Sequence, residues 1–273
     1  MNTTFNLDSK NSPLLISMPH MGSIIPKHIA CDMTAEALQM ADVDWHLRQL
    51  YDMTKEYDVS VISANYMRYV IDLNRSPDDL SLYPGQDTTG LCPLDTFAKQ
   101  PIYKIGKEPE PSEIKHRIEQ YWRPYHVQLK AELDRIYSIY GMVILLDAHS
   151  IASEVPRFFH GKLPDLNFGT ADSQTCDESL ELHLARTMQQ SPLAHKYSHV
   201  FNGRFKGGFI TRHYGVPALN IHALQLEISQ CIYMQEKFPY KYTPALAEQL
   251  QPLLGQLIET CLSWVSGYKK KHS

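Results

Sequence analysis

Short apolar runs recur along the chain and are separated by longer segments in which apolar positions repeat with a helical period. Apolar runs bounded by Gly, Pro, Asn or Asp are typical of buried strands. The pattern therefore predicts strands over 13–20, 58–64, 142–147 and 221–229. The segment 68–74 is a further candidate for a strand.

Helical periodicity appears in the segments between these runs and predicts helices over 34–57, 112–140, 177–190 and 244–266. Thr34 begins the first helix, and Glu36 lies in its opening turn, where the helix dipole favours an acid. Gly141 ends the second helix. The segments 76–111 and 151–176 show no such period, and a long irregular connection inside a compact domain usually carries function.

Strands that alternate with helices predict an α/β fold. We expect a single domain over 1–273, with a central mixed, largely parallel sheet flanked by helices. The chain shows no internal repeat and no linker-like composition. In open α/β sheets, ligands bind outside the carboxyl ends of the strands. The strand ends are therefore the places to look for a functional site.

Composition narrows the range of functions. Apolar residues make up 43% of the 273 residues and charged residues 21%, so the chain can bury a full core. The net charge is −4 and the basic residues are dispersed, which argues against a nucleic-acid partner. No run approaches the roughly 20 apolar residues that span a bilayer, so no membrane partner is expected. The oligomeric state is left open.

The cysteines are irregularly spaced, and no two form a C-x-x-C pair. This spacing argues against a disulfide framework or a thiolate zinc site. The N-terminal residues are polar and lack the apolar segment of a signal peptide. We therefore expect a cytoplasmic protein with reduced thiols.

Polar residues with metal-binding chemistry stand at three predicted strand ends. His20 ends the predicted strand 13–20. Asp147 and His149 stand at the end of the strand that begins at 142, and Glu227 lies in the strand 221–229. Asp147 and His149 share one side of an extended segment, because side chains repeat every two residues. A catalytic zinc typically takes three protein ligands from His, Asp and Glu. Glu227 would be costly to bury in its apolar surroundings without a partner or a function.

The third zinc ligand has several candidates in the segment ADVDWH. Asp42, Asp44 and His46 all offer suitable atoms. On a helix, Asp42 and Asp44 lie about 200° apart, so they cannot both face the site. Spacing alone does not choose between them, and we favour Asp44.

Two further sets of residues offer binding groups for carboxylates. Arg68, Asn74 and Arg75 occur in MRYVIDLNRSPDD, and arginine binds carboxylates through two parallel hydrogen bonds. The glycine-rich segment NGRFKGGFITRHYG contains a second basic set, namely Arg204, Lys206, Arg212 and His213. For Lys206 we favour an ordinary solvated charge. Cations around a zinc centre would suit a small dicarboxylate or an acidic amide.

Six motifs in order resemble the N-formylglutamate amidohydrolase family: SMPHMGSIIP, DVDWHLRQLYD, RYVIDLNRSPDD, LLDAHSI, NGRFKGGFITRHYG and IHALQLEISQCIYM. They extend from about residue 13 to 240, and their order is far more specific than any one of them. The resemblance implies a zinc-dependent hydrolase with a fold akin to the zinc carboxypeptidases. It also implies hydrolysis of N-formyl-L-glutamate to L-glutamate and formate, a step of histidine degradation.

The resemblance also implies roles for residues of this chain. His149, followed by Ser150, matches a zinc histidine of related enzymes, Glu227 matches their general base, and Arg68 matches an arginine that stabilises the oxyanion. The segment DLNR, Asp72 to Arg75, matches one that holds the substrate carboxylate.

We combine these roles in one hypothesis. His20, Asp44 and His149 would hold one Zn²⁺, and Asp147 would orient a ligand rather than bind the metal. Asn74, Arg75 and Arg212 would hold the substrate carboxylates. Related enzymes carry a His-x-x-Glu ligand pair, but Ser23 stands at the glutamate position here. The acidic ligand must then come from elsewhere, which supports Asp44.

Two other functions compete with this one. A zinc aminoacylase or carboxypeptidase could use the same residues on another N-acyl acidic amino acid or on a peptide. A carboxylate-binding protein without catalytic activity could keep the fold, although no member of the predicted ligand set is missing. A serine hydrolase is disfavoured because the chain has no G-x-S-x-G motif.

Overall fold

A computed structural model describes residues 3–80, 85 and 87–272. Within these residues one mixed sheet contains seven strands: β1 (Phe5–Asp8), β2 (Leu14–Met18), β3 (Ser60–Ala64), β4 (Val143–Ile151), β5 (Leu166–Gly169), β6 (His199–Phe201) and β7 (Ile221–Ser229). Their order across the sheet is β1-β3-β2-β4-β7-β5-β6. The central strands β3, β2, β4 and β7 are parallel to one another. β1 pairs with β3 and β5 pairs with β7 in antiparallel fashion, whereas β6 is parallel to β5. The predicted mixed, largely parallel α/β sheet is confirmed.

Helices connect and cover the strands: α1 (Lys27–Ala30), α2 (Leu47–Leu50), α3 (Pro111–Arg117), α4 (Arg123–Tyr140), α5 (Glu178–Gln190), α6 (Phe209–Tyr214) and α7 (Pro244–His272). A π-helical turn over Ile118–Trp122 joins α3 to α4, so the helix predicted over 112–140 is present with one local change of winding. Gly141 ends it in the left-handed conformation, as predicted. No helix of the described residues is long and apolar enough to cross a membrane.

The sheet is buried on both faces. Leu14 and Ile16 of β2 pack in a core that includes residues of α5 and α7, whereas Leu15 packs in a second core with residues of α4. All residues of β4 are buried. Because both faces are covered, the central strands are apolar without alternation, which is why their runs stand out in the sequence.

The prediction of one helix over 34–57 is wrong. The segment contains a 3₁₀ turn at Ala37–Gln39, the short helix α2 and a second 3₁₀ turn at Asp52–Tyr57. Met40 and His46 have positive φ angles of 56° and 64°, which no α-helix accommodates. Between them the Asp44 amide donates to the His20 carbonyl at 3.1 Å, so a tertiary contact replaces a helical hydrogen bond.

Other differences lie in short or irregular segments. Residues 68–74 form turns rather than a strand, and the short strands β1, β5 and β6 were not predicted. The strand β5 lies inside 151–176, which was expected to be irregular. The connection 76–111 has no strand in its described part, and it enters a helix only at Pro111; residues 81–84 and 86 lie outside the described residues.

Candidate active site

The carboxyl ends of β2, β4 and β7 bring three predicted residues together. His20 lies two residues after the end of β2, and His149 lies two residues before the end of β4. In β7, Glu227 is the direct register partner of His149. The sheet therefore sets the spacing between His149 and Glu227, since neighbouring strands lie about 4.8 Å apart.

Asp44 joins the two histidines and completes a candidate metal site. Its Oδ2 lies 3.1 Å from His149 Nδ1 and 3.9 Å from His20 Nδ1. One ligand atom from each residue lies within 4.8 Å of the others, and all three side chains are buried. Two imidazoles and one carboxylate make a ligand set that suits a catalytic zinc.

Each histidine has a buried carboxylate behind it. His20 Nε2 lies 2.6 Å from Asp72 Oδ1, and His149 Nε2 lies 3.0 Å from Asp147 Oδ2. Histidines that bind metals usually donate their outer N–H in this way, which fixes the tautomer and leaves the inner nitrogen for the ion. The Nδ1 atoms that face Asp44 are thus the ones left to bind a metal, and the residues present fit the ion.

The charges around the histidines differ. Burial and the nearby Arg68 cation lower the pKa of His20, so its ring is neutral and can act as a ligand. Burial also opposes a charge on His149, but Asp147 and Asp44 outweigh it and raise the pKa of His149 well above its usual value. A metal ion must therefore displace a proton from His149, because only the deprotonated nitrogen binds metal.

Glu227 is buried beside this group. Burial, with added repulsion from Asp44 and Asp147, raises its pKa to about 8, although His149 and Arg68 act in the opposite direction. Gln225 Nε2 donates to Glu227 Oε2 at 3.0 Å and fixes the carboxyl group. A carboxyl group that titrates near neutral pH can both accept and donate a proton during a reaction.

Arg68 supplies a buried positive charge. Its terminal nitrogens lie 2.6 Å from Asp72 Oδ2 and 3.2 Å from His20 Nδ1. Its Nε is buried and has no hydrogen-bond partner among the described residues. Although burial favours the neutral carboxyl, Arg68 and His20 lower the pKa of Asp72 well below its usual range. Asp72 therefore stays ionised and balances the guanidinium.

A cleft of about 610 Å³ opens over these groups. It is lined by His20, Arg68, Asn74, Arg75, Thr88, Phe97, His149, Ser150, Ile151, Phe158, Arg204, Phe205, Gly208, Gln225 and Glu227. The lining combines aromatic rings with a few charged groups, as small-molecule sites do.

A family model for N-formylglutamate amidohydrolase matches residues 12–234. The chain belongs to the N-formylglutamate amidohydrolase family. It is 48% identical over 252 residues to N-formylglutamate deformylase of Pseudomonas putida, and 44% identical over 252 residues to the enzyme of the same name of Pseudomonas aeruginosa. Each alignment covers 92% of this chain and 93% of the relative.

Among solved structures, the fold is similar to that of N-formylglutamate amidohydrolase from Ralstonia eutropha JMP134, with a TM-score of 0.81 and 25% identity. The superposition covers 96% of this chain and 98% of the other. The family resemblance drawn from the six motifs is therefore confirmed.

The predicted amidohydrolase residues do not all reach the cleft. Asn74 and Arg75 line it, and Asn74 Nδ2 donates to Asp147 Oδ2 at 3.1 Å. Arg212 lies on α6, where its Nε donates to the Gly207 carbonyl at 2.9 Å, and it is not among the described residues that line the cleft. Arg204 does line it, although no pattern in the sequence favours Arg204 over Arg212.

The alternatives to Asp44 have other partners. Asp42 accepts from the Tyr69 hydroxyl at 2.6 Å and from the Phe97 amide at 2.8 Å, and His46 Nε2 lies 2.7 Å from the Tyr240 carbonyl. Asp44 is the candidate that stands beside the histidines. Asp42 and Asp44 do not lie on a helix, so the separation of about 200° expected for them does not apply.

Asp72 is the residue that sequence reasoning placed incompletely. It is the first residue of the segment DLNR, and in the structure it bonds both His20 and Arg68. Its proximity to a predicted ligand depends on how the turns over 68–74 fold, and no motif reports that contact.

Proposed function

We propose that the chain hydrolyses N-formyl-L-glutamate to L-glutamate and formate, as a step of histidine degradation, with the help of one zinc ion. The observation that carries the proposal is the buried His20–Asp44–His149 group beside Glu227, at the base of a cleft lined with guanidinium groups. The names of the relatives support the substrate. In this proposal the 273 residues act as one amidohydrolase domain.

His20, Asp44 and His149 would hold the zinc ion. When bound, the ion supplies Lewis-acid polarisation and makes water a better nucleophile at neutral pH. The two carboxylates behind the histidines, Asp72 and Asp147, keep both rings oriented toward Asp44. Zinc is favoured because a mixed set of imidazole and carboxylate ligands suits it.

Glu227 handles the proton. It accepts one from the attacking water and returns it to the amide nitrogen as the C–N bond breaks. Its raised pKa suits this exchange because the ideal catalytic pKa lies near the working pH. The hydrogen bond from Gln225 and the pairing of β7 with β4 hold the carboxyl group next to His149.

Arg68 stabilises the negative charge that develops on the formyl oxygen. It lines the cleft beside His20, and its ion pair with Asp72 fixes the guanidinium before substrate arrives. Charges that are oriented in advance stabilise a transition state without the cost of reorganisation. Arg75 and Asn74 bind a substrate carboxylate, and the contact predicted for Arg212 stays a prediction.

Formate release from N-formyl-L-glutamate tests this proposal. We expect activity in the zinc-loaded protein, its loss with a chelator and its return when zinc is added. Glu227→Gln should keep its zinc and lose turnover by about 10²–10⁴-fold, because a general base contributes that much. Glu119→Gln is the matched control, since Glu119 is exposed and pairs with Arg123 on the helical surface. Near-normal turnover in Glu227→Gln would remove Glu227 from this role.

A further inference from the structure

We propose that Arg204 binds the side-chain carboxylate of the substrate and thereby sets the preference for an acidic amino acid. This inference rests on the proposed function, because it assumes that an N-formyl amino acid occupies the cleft. It assigns to Arg204 a contact that the sequence had suggested for Arg212.

Arg204 is fixed on an aromatic wall of the cleft. It lies in the connection between β6 and α6, and its Nε donates to the Phe158 carbonyl at 2.7 Å. Its guanidinium carbon lies 5.6 Å from the centre of the Phe158 ring and 5.5 Å from that of Phe205. Both rings line the same cleft. Two aromatic neighbours and a main-chain hydrogen bond therefore position the cation before any ligand binds.

The other cations of the cleft are placed for different tasks. Arg68 pairs with Asp72 and lies beside His20, at the candidate metal site. Arg75 bonds the Thr89 carbonyl at 2.8 Å, and its sequence neighbour Asn74 contacts Asp147 beside His149. Arg75 thus belongs to the part of the cleft that adjoins the metal site.

The chemistry of the substrate matches this division. N-formylglutamate has one carboxylate on the carbon next to the amide nitrogen and a second at the end of a flexible side chain. The nearer carboxylate fits Arg75, which adjoins the metal site. The farther one fits Arg204, and the methylene groups between them can pack against Phe158 and Phe205.

A nearby carboxylate has other cationic partners. The Asp87 carboxylate is bound by Lys99 at 2.6 Å and by Arg157 at 2.8 Å. Arg204 Nη2 donates to the main-chain carbonyl of Asp87 at 3.5 Å. The Asp87 carboxylate is therefore balanced by Lys99 and Arg157. A carboxylate that enters the cleft can form charge-assisted hydrogen bonds with a guanidinium group on its wall.

Two substrates of similar size separate this role from a structural one. N-formyl-L-glutamate and N-formyl-L-glutamine differ in the charge of the side-chain end. We expect the wild-type protein to prefer the glutamate compound. Arg204→Met should lower its kcat/KM for N-formyl-L-glutamate about 10- to 100-fold, mainly through KM, because one charge-assisted interaction is lost. Its kcat/KM for N-formyl-L-glutamine should change little, and Arg204→Lys should restore part of the preference.

Lys206→Met is the matched control. It removes a cation from the same loop, but Lys206 pairs with Asp172 on the surface and does not line the cleft among the described residues. If Arg204→Met lost kcat/KM equally for both substrates, or kept the preference of the wild-type protein, the role of Arg204 would be wrong. That result would leave the proposed function standing. Wild-type protein that releases formate from neither substrate would overturn the proposed function and this assignment with it.

Discussion

Each of the two candidate histidine ligands has a carboxylate that holds it, Asp72 for His20 and Asp147 for His149. Asp72 is the clearest case, because its carboxylate has three partners. It accepts a hydrogen bond from Arg68 and another from the Asn74 main-chain amide at 2.8 Å, and it also bonds His20. One carboxylate thus contacts the candidate ligand His20, the guanidinium proposed to stabilise the oxyanion and the segment proposed to bind the substrate. A substitution at Asp72 should therefore disturb the positions of all three groups.

Asp72→Asn should weaken zinc binding about 10- to 100-fold, because the loss of a carboxylate behind a ligand histidine commonly has that effect. A competition titration with a chromogenic chelator measures the change directly and does not depend on turnover. Asp134→Asn serves as the control, since Asp134 is exposed and pairs with Lys130. An affinity equal to that of the wild-type protein would show that Asp72 does not support the metal site.

Individual residues could be predicted where they stand at the end of an apolar strand. His20, His149 and Glu227 were found in this way, because an imidazole or acid in such a place is conspicuous. Arg204 and Asp72 could not be assigned, since their roles depend on which loop folds over the strand ends. Spacing along the chain carries no information on that contact.

Among the elements, α4 and the turn before it hold the segment around Asn74 in place. Trp122 Nε1 donates to the Arg75 carbonyl at 3.0 Å, and His126 Nε2 donates to the Leu73 carbonyl at 2.9 Å. Trp122 ends the π-helical turn, so the local widening of the helix helps to place its ring. These contacts fix the carbonyls that flank Asn74.

His126 should make the folded state sensitive to acid. Burial lowers its pKa to about 3, whereas an unfolded histidine titrates near 6.5. Between these values the unfolded chain binds more protons, so stability falls as the pH drops below 6.5. Urea unfolding at pH 7 and pH 5 should show the wild-type protein losing about 2 kcal/mol more than His126→Gln over that interval. Identical pH dependence in the two proteins would contradict this account.

Long elements were predictable and short ones were not. The central strands and the helices α4, α5 and α7 bury whole faces, so their period is strong. The strands β1, β5 and β6 have only three or four residues each and are mixed in composition. The segment 34–57 shows helical spacing, yet contacts of Asp42 and Asp44 with distant residues override it.

On the scale of the whole molecule, the candidate site links segments that are far apart in sequence. His20, Asp44, His149 and Glu227 meet only when β2, β4, β7 and the turn before α2 have all assembled. An ion that binds this arrangement and not the unfolded chain must stabilise the fold by mass action.

Zinc should therefore raise the thermal unfolding temperature of the wild-type protein. At a free concentration of 100 times Kd the stabilisation is about 2.7 kcal/mol. Asp44→Ala should lose the response, and Asp42→Ala should keep it, because Asp42 contacts Tyr69 and Phe97 rather than the histidines. Differential scanning calorimetry with and without zinc measures both shifts. A zinc response that persists in Asp44→Ala and vanishes in Asp42→Ala would reassign the ligand.

The direct pairing of His149 with Glu227 has a consequence for refolding. If β7 slipped by one residue against β4, Glu227 would turn to the opposite face of the sheet and leave His149 without its partner. A misaligned molecule would then be inert rather than partly active. The fraction of activity regained after dilution from denaturant should accordingly equal the fraction of molecules in which β7 has paired with β4 in the correct register.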